Sequence, residues 1–536
     1  MSLAATEHLV VLPVLLPLLC GALMIPLDRA RHRLKLALSL TCVVLLLAVA
    51  AATMFLADSG HWPRGIGVYL AANWSAPFGI ALVADRLSAV LLLLTALLAL
   101  AVLSYASRGW SRVGVHFHAL FQFLLMGVNG AFLTHDLFNL FVFFEVMLAA
   151  SYGLVLHGYT PQRVRAGMQY VAINLLASFA FLIGVSLIYA TSGTLNMSDL
   201  AARLPTLSDL DLALLKAGVA VLCVAFLVKA GMWPLGFWLP STYSAASPPV
   251  GAMLVLLTKV GVYAVLRLWL LVFPQGAAAA AGYGADALLA GGLLTMAFGA
   301  AGMLAADAPG RMAGHAAILS SGTLLAAVGS GDAALVPAAL LYLLSSTLAM
   351  AALMLLLELV ERVRSPHASV VALTIEAFAI EDTPEQPVGE GIPAALAFVA
   401  LAFAGCALVI AGVPPLSGFI AKFALIHTLL AAPSSSAWAF VALLIGSGLC
   451  STIALTRFGV RTFWAAVDIK PPRLHLAEGV PIGVLLLACA ALTVQSGAVL
   501  DYLTRTAAAL QRPGSYVERV MHTPVVPGAA AQEAAR

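Results

Sequence analysis

From about residue 8 to residue 500 the chain alternates long apolar runs with short polar loops. A helix that crosses a bilayer needs about 20 mainly apolar residues. Fourteen runs meet that need: 8–27, 34–57, 85–106, 115–134, 136–157, 168–191, 212–238, 248–271, 285–306, 311–330, 334–360, 392–431, 437–464 and 477–500. They are too long and too evenly apolar for barrel strands, and inside a bilayer a helix satisfies its own backbone groups. The expected fold is therefore an all-α polytopic membrane protein of about fourteen transmembrane helices. Two runs carry a proline-marked interruption near a lysine. The seventh contains Pro234, and the long twelfth is interrupted by GVPPLSG. Proline removes a backbone donor and crowds the preceding turn, so both spans are predicted to be broken helices.

Composition sharpens this picture. Of 536 residues 62% are hydrophobic and 10% charged, with a mean hydropathy of +1.02, whereas a soluble domain carries about 25% charged residues. The chain is expected to have little outside the bilayer. A net charge of +3 without a basic face gives no sign of nucleic-acid binding. The six cysteines fall in apolar runs without metal spacing and read as small buried hydrophobes. The first run reads as a retained helix, not a cleaved signal. Lysine and arginine set the orientation. They crowd the loop DRARHRLK after the first span and the loops after spans 3, 5, 9, 11 and 13, while the opposite loops hold few. The odd loops are thus expected in the cytoplasm, with both termini outside. Residues 366–391 form an acidic loop, and 195–211 could lie along the outer surface as a short amphipathic segment. Residues 501–536 read as a partly disordered tail bearing alanine and proline.

Candidate chemistry lies in charges too deep to escape. Insertion scales put a mid-bilayer charge at roughly 2.5–3.5 kcal/mol, and long side chains near helix ends avoid it by snorkelling. Glu145 lies about nine residues into span 5, Lys229 about sixteen into span 7 and Lys259 about eleven into span 8. Lys422 follows the break GVPPLSGFIA in span 12. Desolvation loosens a lysine's hold on its proton, and a neighbouring carboxylate tightens it, so such groups suit proton transfer. Each also has a structural reading: a carboxylate that serves packing, or a snorkelling ammonium. Lys216, near the start of span 7, fits snorkelling. His315 opens span 10 and reads equally as a polar filler or as a relay between two halves. His135 and Asp136, at the outer mouth of span 5, are explained as well by helix capping as by an entry role. A proline-marked break near a buried lysine in each half of a transporter points to an inverted repeat.

Three strings, HDLFNLFVFFEVMLAASYGLVLHG, FLVKAGMWPLGFWLPSTYSAASPPVGAMLVLLTKVGVYAVLRL and AGVPPLSGFIAKFAL, closely resemble the antiporter-like subunits shared by Mrp-type (Pha) monovalent cation/proton antiporters and respiratory complex I. The resemblance runs over nearly the whole chain, and the wording around Glu145 is most similar to the D subunits of the Mrp antiporters. It implies inverted five-helix repeats, helices 4–8 and 9–13, with broken helices 7 and 12. The corresponding blocks are 1–114 (helices 1–3), 115–271, 285–464, 477–500 (helix 14) and the 501–536 tail. It also implies that Glu145 pairs with Lys229, and that Lys259 and Lys422 are the helix 8 and helix 12 lysines of a mid-membrane proton relay. One departure stands out. Many relatives carry histidine or lysine in span 11, where this chain has Ser345, Ser346 and Thr347, so water or His315 would have to bridge Lys259 to Lys422.

The expected function is the proton-translocating subunit of a multisubunit Na⁺ or K⁺/proton antiporter in a bacterial cytoplasmic membrane, a transporter component and not an enzyme. Its partners would be the other antiporter subunits and the lipid bilayer. The alternative is a proton-pumping subunit of NADH–quinone oxidoreductase or a membrane-bound hydrogenase. The chain shows no Rossmann fingerprint, iron–sulfur cysteines or haem motif, so no cofactor is expected and redox chemistry would come from partners. A third reading, charges that only stabilise packing, fits poorly with three mid-membrane lysines and two broken helices.

Overall fold

The computed structural model describes residues 6–274, 280–363, 394–463 and 474–525. The acidic loop at 366–391 lies outside them. Fourteen helical units follow the predicted runs: α1 (Leu12–Met24), α2 (His32–Asp58), α3 (Arg86–Ala106), α4 (Phe117–Leu133), α5 (Leu137–Val155), α6 (Pro161–Ser192), α7a and α7b (Asp209–Ala230, Leu239–Ala245), α8 (Pro248–Val272), α9 (Ala285–Ala305), α10 (Pro309–Gly329), α11 (Val336–Val363), α12a and α12b (Ala394–Ala411, Ser417–Ala431), α13 (Ser435–Phe463) and α14 (Leu476–Val494). Twelve described helices are long and apolar enough to cross a membrane; α1, α4 and α12b are shorter apolar helices. Between α2 and α3 a two-stranded antiparallel hairpin, β1 (Gly67–Leu70) with β2 (Ala81–Ala84), pairs Gly67 with Ala84 and Leu70 with Ala81.

Local chemistry sets the helix ends. Asp85 and Ser88 form a reciprocal capping box on α3. Asp136 accepts from the Asn139 amide at 2.8 Å and caps α5, one of the two roles its position allowed. Thr160 caps α6, with Pro161 at its first position.

Hydropathy does not distinguish the centre of the bundle from its rim; burial does. The apolar windows of α8, α10 and α11 are 94, 89 and 100% buried, whereas those of α2, α6, α12a and α13 are each 39% buried. The first three form the core, and the others present a face to lipid or to neighbouring subunits.

Two peripheral segments take definite form. The described part of the tail after α14 is helical. Helices α15 (Ser496–Leu510) and α16 (Pro513–Met521) fold back on the bundle and bury Tyr502, Leu503, Tyr516 and Val520. Their apolar residues recur at helical spacing, a signal masked by the alanine-rich composition. The 195–211 segment does contain a helix, Met197–Arg203, but Met197 to Leu200 are buried, and it packs against α16 and α8. Ala202 and Arg203 stay exposed, so this helix docks one side on protein and leaves the other at the surface.

Candidate functional site: a file of buried lysines and hydroxyls

Both predicted breaks are present, and both open on a glycine of positive φ: Gly231 (φ 78°) ends α7a and Gly412 (φ 76°) ends α12a. This conformation strains any residue with a Cβ. A Cβ at Gly412 would also stand 2.6 Å from Lys422 Cδ. Inside a bilayer the freed backbone groups need partners, and the protein supplies them. Thr295 of α9 accepts from the Trp233 amide at 2.9 Å. Trp238 donates to the Val228 carbonyl at 3.3 Å. In α12 the partner is Lys422 itself, whose ammonium donates to the carbonyls of Ala411 (2.8 Å) and Ile410 (3.2 Å). These are terminal carbonyls of α12a, where orphan acceptors and the negative end of the helix dipole favour a cation.

The three lysines are all buried, with Lys229 3%, Lys259 0% and Lys422 7% exposed. Lys259 donates to Ser320 Oγ of α10 at 2.7 Å, and Ser320 and Ser346 of α11 share a hydrogen bond of 3.0 Å. The adjacent Ser345 shares one of 2.7 Å with Ser417, the first residue of α12b. Lys422 stands five residues further along that helix. The described side chains thus form two hydroxyl-linked segments, Lys259–Ser320–Ser346 and Ser345–Ser417. They meet at neighbouring residues of the most buried helix.

The Glu145–Lys229 end differs. Glu145 is half-buried on α5 and accepts a hydrogen bond from Ser178 of α6. The Lys229 ammonium makes no hydrogen bond to the protein, Glu145 included. It lies 5.2 Å from the centre of the Phe144 ring, a cation–π contact. Beside it is a cavity of about 10 Å³ lined by Tyr170, Asn174, Tyr243 and Thr258 among others, about the room one water needs.

His315 stands apart from this file. Its ring packs at 5.6 Å against Phe298 and against Gly302 of α9, and its Nδ1 has no protein partner. Five residues separate it from Ser320 on one helix, about 140° of rotation, so the two address different neighbours. Sequence reasoning missed Ser178, Ser320 and Ser417. The available signal was weak, because serines in apolar helices usually bond their own backbone.

A second polar group lies at the C-terminal end of α8. Tyr263 and Arg267 follow Lys259 at intervals of one turn. Arg267 donates to both oxygens of Asp85, at 2.6 and 2.9 Å, and to the Tyr263 hydroxyl at 3.2 Å. Burying a lone carboxylate is costly, and the Arg267 guanidinium and the Ser88 amide offset that cost at Asp85. His135, hydrogen-bonded to Ser198 at 2.6 Å, is held down to about 3 by burial and by Arg267. It is therefore neutral at pH 7.

Comparison with known proteins places this geometry. Residues 134–450 match the family model described as NADH:quinone oxidoreductase/Mrp antiporter, TM. A Rhizobium meliloti (strain 1021) protein, named as the D component of a probable K⁺/H⁺ antiporter, is 52% identical, covering 97% of this chain and 98% of its own. An Alkalihalophilus pseudofirmus protein, named as the D component of a Na⁺/H⁺ antiporter, is 33% identical over 96% and 99% of the two chains. Among solved structures, a chain of the Mrp complex from Dietzia sp. DQ12-45-1b superposes with a TM-score of 0.82 at 28% identity, covering 97% of this chain and all of its own. A chain of Thermus thermophilus respiratory complex I shares the fold, with a TM-score of 0.72 at 24% identity over 96% and 100% of the two chains. This chain belongs to the NADH:quinone oxidoreductase/Mrp antiporter family of membrane proteins, among its antiporter D subunits.

Proposed function

We propose that the chain is the proton-translocating D subunit of a multisubunit monovalent cation/proton antiporter, exchanging protons for Na⁺ or K⁺ across a bacterial cytoplasmic membrane. The observation that carries this reading is the file of three buried lysines linked in part by serine hydroxyls across α8, α10, α11 and α12b. A packing role needs no such file, and membrane interiors penalise every member of it. The names of the two antiporter relatives support antiport over the redox-pump alternative.

In this proposal Glu145 and Lys229 are the switch. Apart, as in the present geometry, the carboxylate rests on Ser178 and the ammonium on Phe144. Together, the carboxylate stabilises the charged lysine. Separation then passes a proton toward Lys259, and the hydroxyls carry it to Lys422. The 115–271 and 285–464 blocks act as inverted repeats, each broken at its fourth helix, with the odd loops cytoplasmic and both termini outside. His315 has no step in this route and serves the α9–α10 contact.

The test is cation-induced dequenching of a pH dye in everted vesicles. Glu145→Ala, Lys229→Ala and Lys422→Ala are each expected to abolish it while the complex still assembles. Near-normal exchange in the assembled variants would refute the relay.

A further inference from the structure

A cavity of about 550 Å³ opens at the N-terminal ends of α2 and α4, remote in sequence from every relay residue and lined by His32, Arg33, Lys35, Ser111, Arg112 and His118 among others. No carboxylate is among its described lining residues. A neighbouring cavity of about 500 Å³ is lined by Glu358 and Glu478 as well as Arg108 and His475, and so has mixed sign.

The polar atoms here are unusually short of partners. His118 is 1% exposed, yet neither of its ring nitrogens has a protein hydrogen bond; the same holds for His32 Nε2 and Ser111 Oγ. Buried polar groups are normally paired, because an unpaired one loses its water without gaining a partner. Three residues with unpaired groups lining one basic cavity form a site shaped for a ligand rich in acceptor oxygens. Lys35, also buried, is anchored to the Val115 carbonyl at 2.9 Å, which fixes its charge in the wall. Arg33 and Arg112 stand exposed at the cavity.

We propose that this cavity binds the phosphate of an anionic phospholipid from the cytoplasmic leaflet, the side on which the proposed topology puts it. Free phosphate shares the oxyanion chemistry. Two features favour the lipid. The flanking Leu34 and Val113 are 45% and 48% exposed, giving acyl chains an apolar surface beside the headgroup. The cavity also lies at the ends of two predicted spans, where basic pockets between helices meet anionic headgroups. The bound lipid would tie α2 to α4 and form part of the boundary layer around the chain.

The test is native mass spectrometry of the tagged chain purified in mild detergent with its own partners. The wild type, the Arg33→Gln/Arg112→Gln variant and the charge-keeping Arg33→Lys variant are delipidated and offered phosphatidylglycerol, phosphatidylcholine or inorganic phosphate. The expected result is retention of phosphatidylglycerol at least tenfold above phosphatidylcholine by the wild type and Arg33→Lys, lost in the double variant. Equal retention by the double variant would overturn the proposal. So would binding of inorganic phosphate without lipid, or a cross-link showing an acidic side chain of another protein in the cavity.

Discussion

Lys229, Lys259 and Lys422 are one residue type at similar burial, yet each answers its charge differently: with a ring face, a serine hydroxyl and two terminal carbonyls. The difference argues for different tasks. Lys422 sits where a helix end already holds acceptors for an ammonium, whereas Lys229 lacks a hydrogen-bonding partner and is the member most easily biased by an approaching carboxylate. In the proposed relay the serines between are links rather than titrating groups. Ser320→Ala should slow vesicle exchange about fivefold, the effect of roughly 1 kcal/mol for one hydrogen bond, while Ser320→Thr keeps most of it. A null effect of Ser320→Ala on initial exchange rates would remove the hydroxyl from the route. His135 gives a separate test. Its folded pKa, about 3, is depressed from 6.5. A depressed group contributes stability that is fully present above its unfolded pKa and is lost as pH falls toward the folded one. The purified protein should therefore melt at progressively lower temperature from pH 6.5 downward, and His135→Gln should flatten that slope.

At the scale of elements, the two breaks and the C-terminal end of α8 matter most. Gly412→Ala would force a side chain into the left-handed region, costing about 1–2 kcal/mol, and would also crowd Lys422. It should impair exchange far more than the same change at Gly446, whose Cβ would meet nothing within 4 Å. Comparable rates for the two variants would show that the α12 break does not position Lys422. At the C-terminal end of α8, Asp85 both caps α3 and neutralises Arg267. Removing one partner of a buried pair costs about 3–5 kcal/mol because a charge is left uncompensated. Asp85→Ala should accordingly lower thermal stability more than the double variant Asp85→Asn/Arg267→Gln, a comparison read directly from melting curves.

For the whole molecule, the division between a buried core of α8, α10 and α11 and a half-exposed rim follows from assembly. Rim helices carry large apolar side chains outward, such as Leu176 at 71% and Leu401 at 73% exposure, as lipid or a neighbouring protein would require. Orientation is a property of the same scale. With the odd loops cytoplasmic, as proposed, Trp74→Cys in the hairpin region should react with a membrane-impermeant maleimide in intact cells. Arg165→Cys should react only in everted vesicles. The opposite pattern would invert the topology.

Much of this was legible in the chain. Fourteen apolar runs, two proline-marked breaks and four deep ionisable residues depend on local composition, and hydropathy and the cost of buried charge read them directly. The positions of Glu145, Lys229, Lys259 and Lys422 needed no partner to be noticed. What only the tertiary structure decided is which groups meet. Ser320, Ser346, Ser345 and Ser417 belong to three helices, and nothing in a helical run of serine and leucine shows which face turns toward a lysine some 60 residues away. The same limit hid the docking of α15 and α16 and the separation of His315 from the file. Burial of a helix depends on its neighbours, and apolar residues that face lipid read the same in sequence as those that face protein.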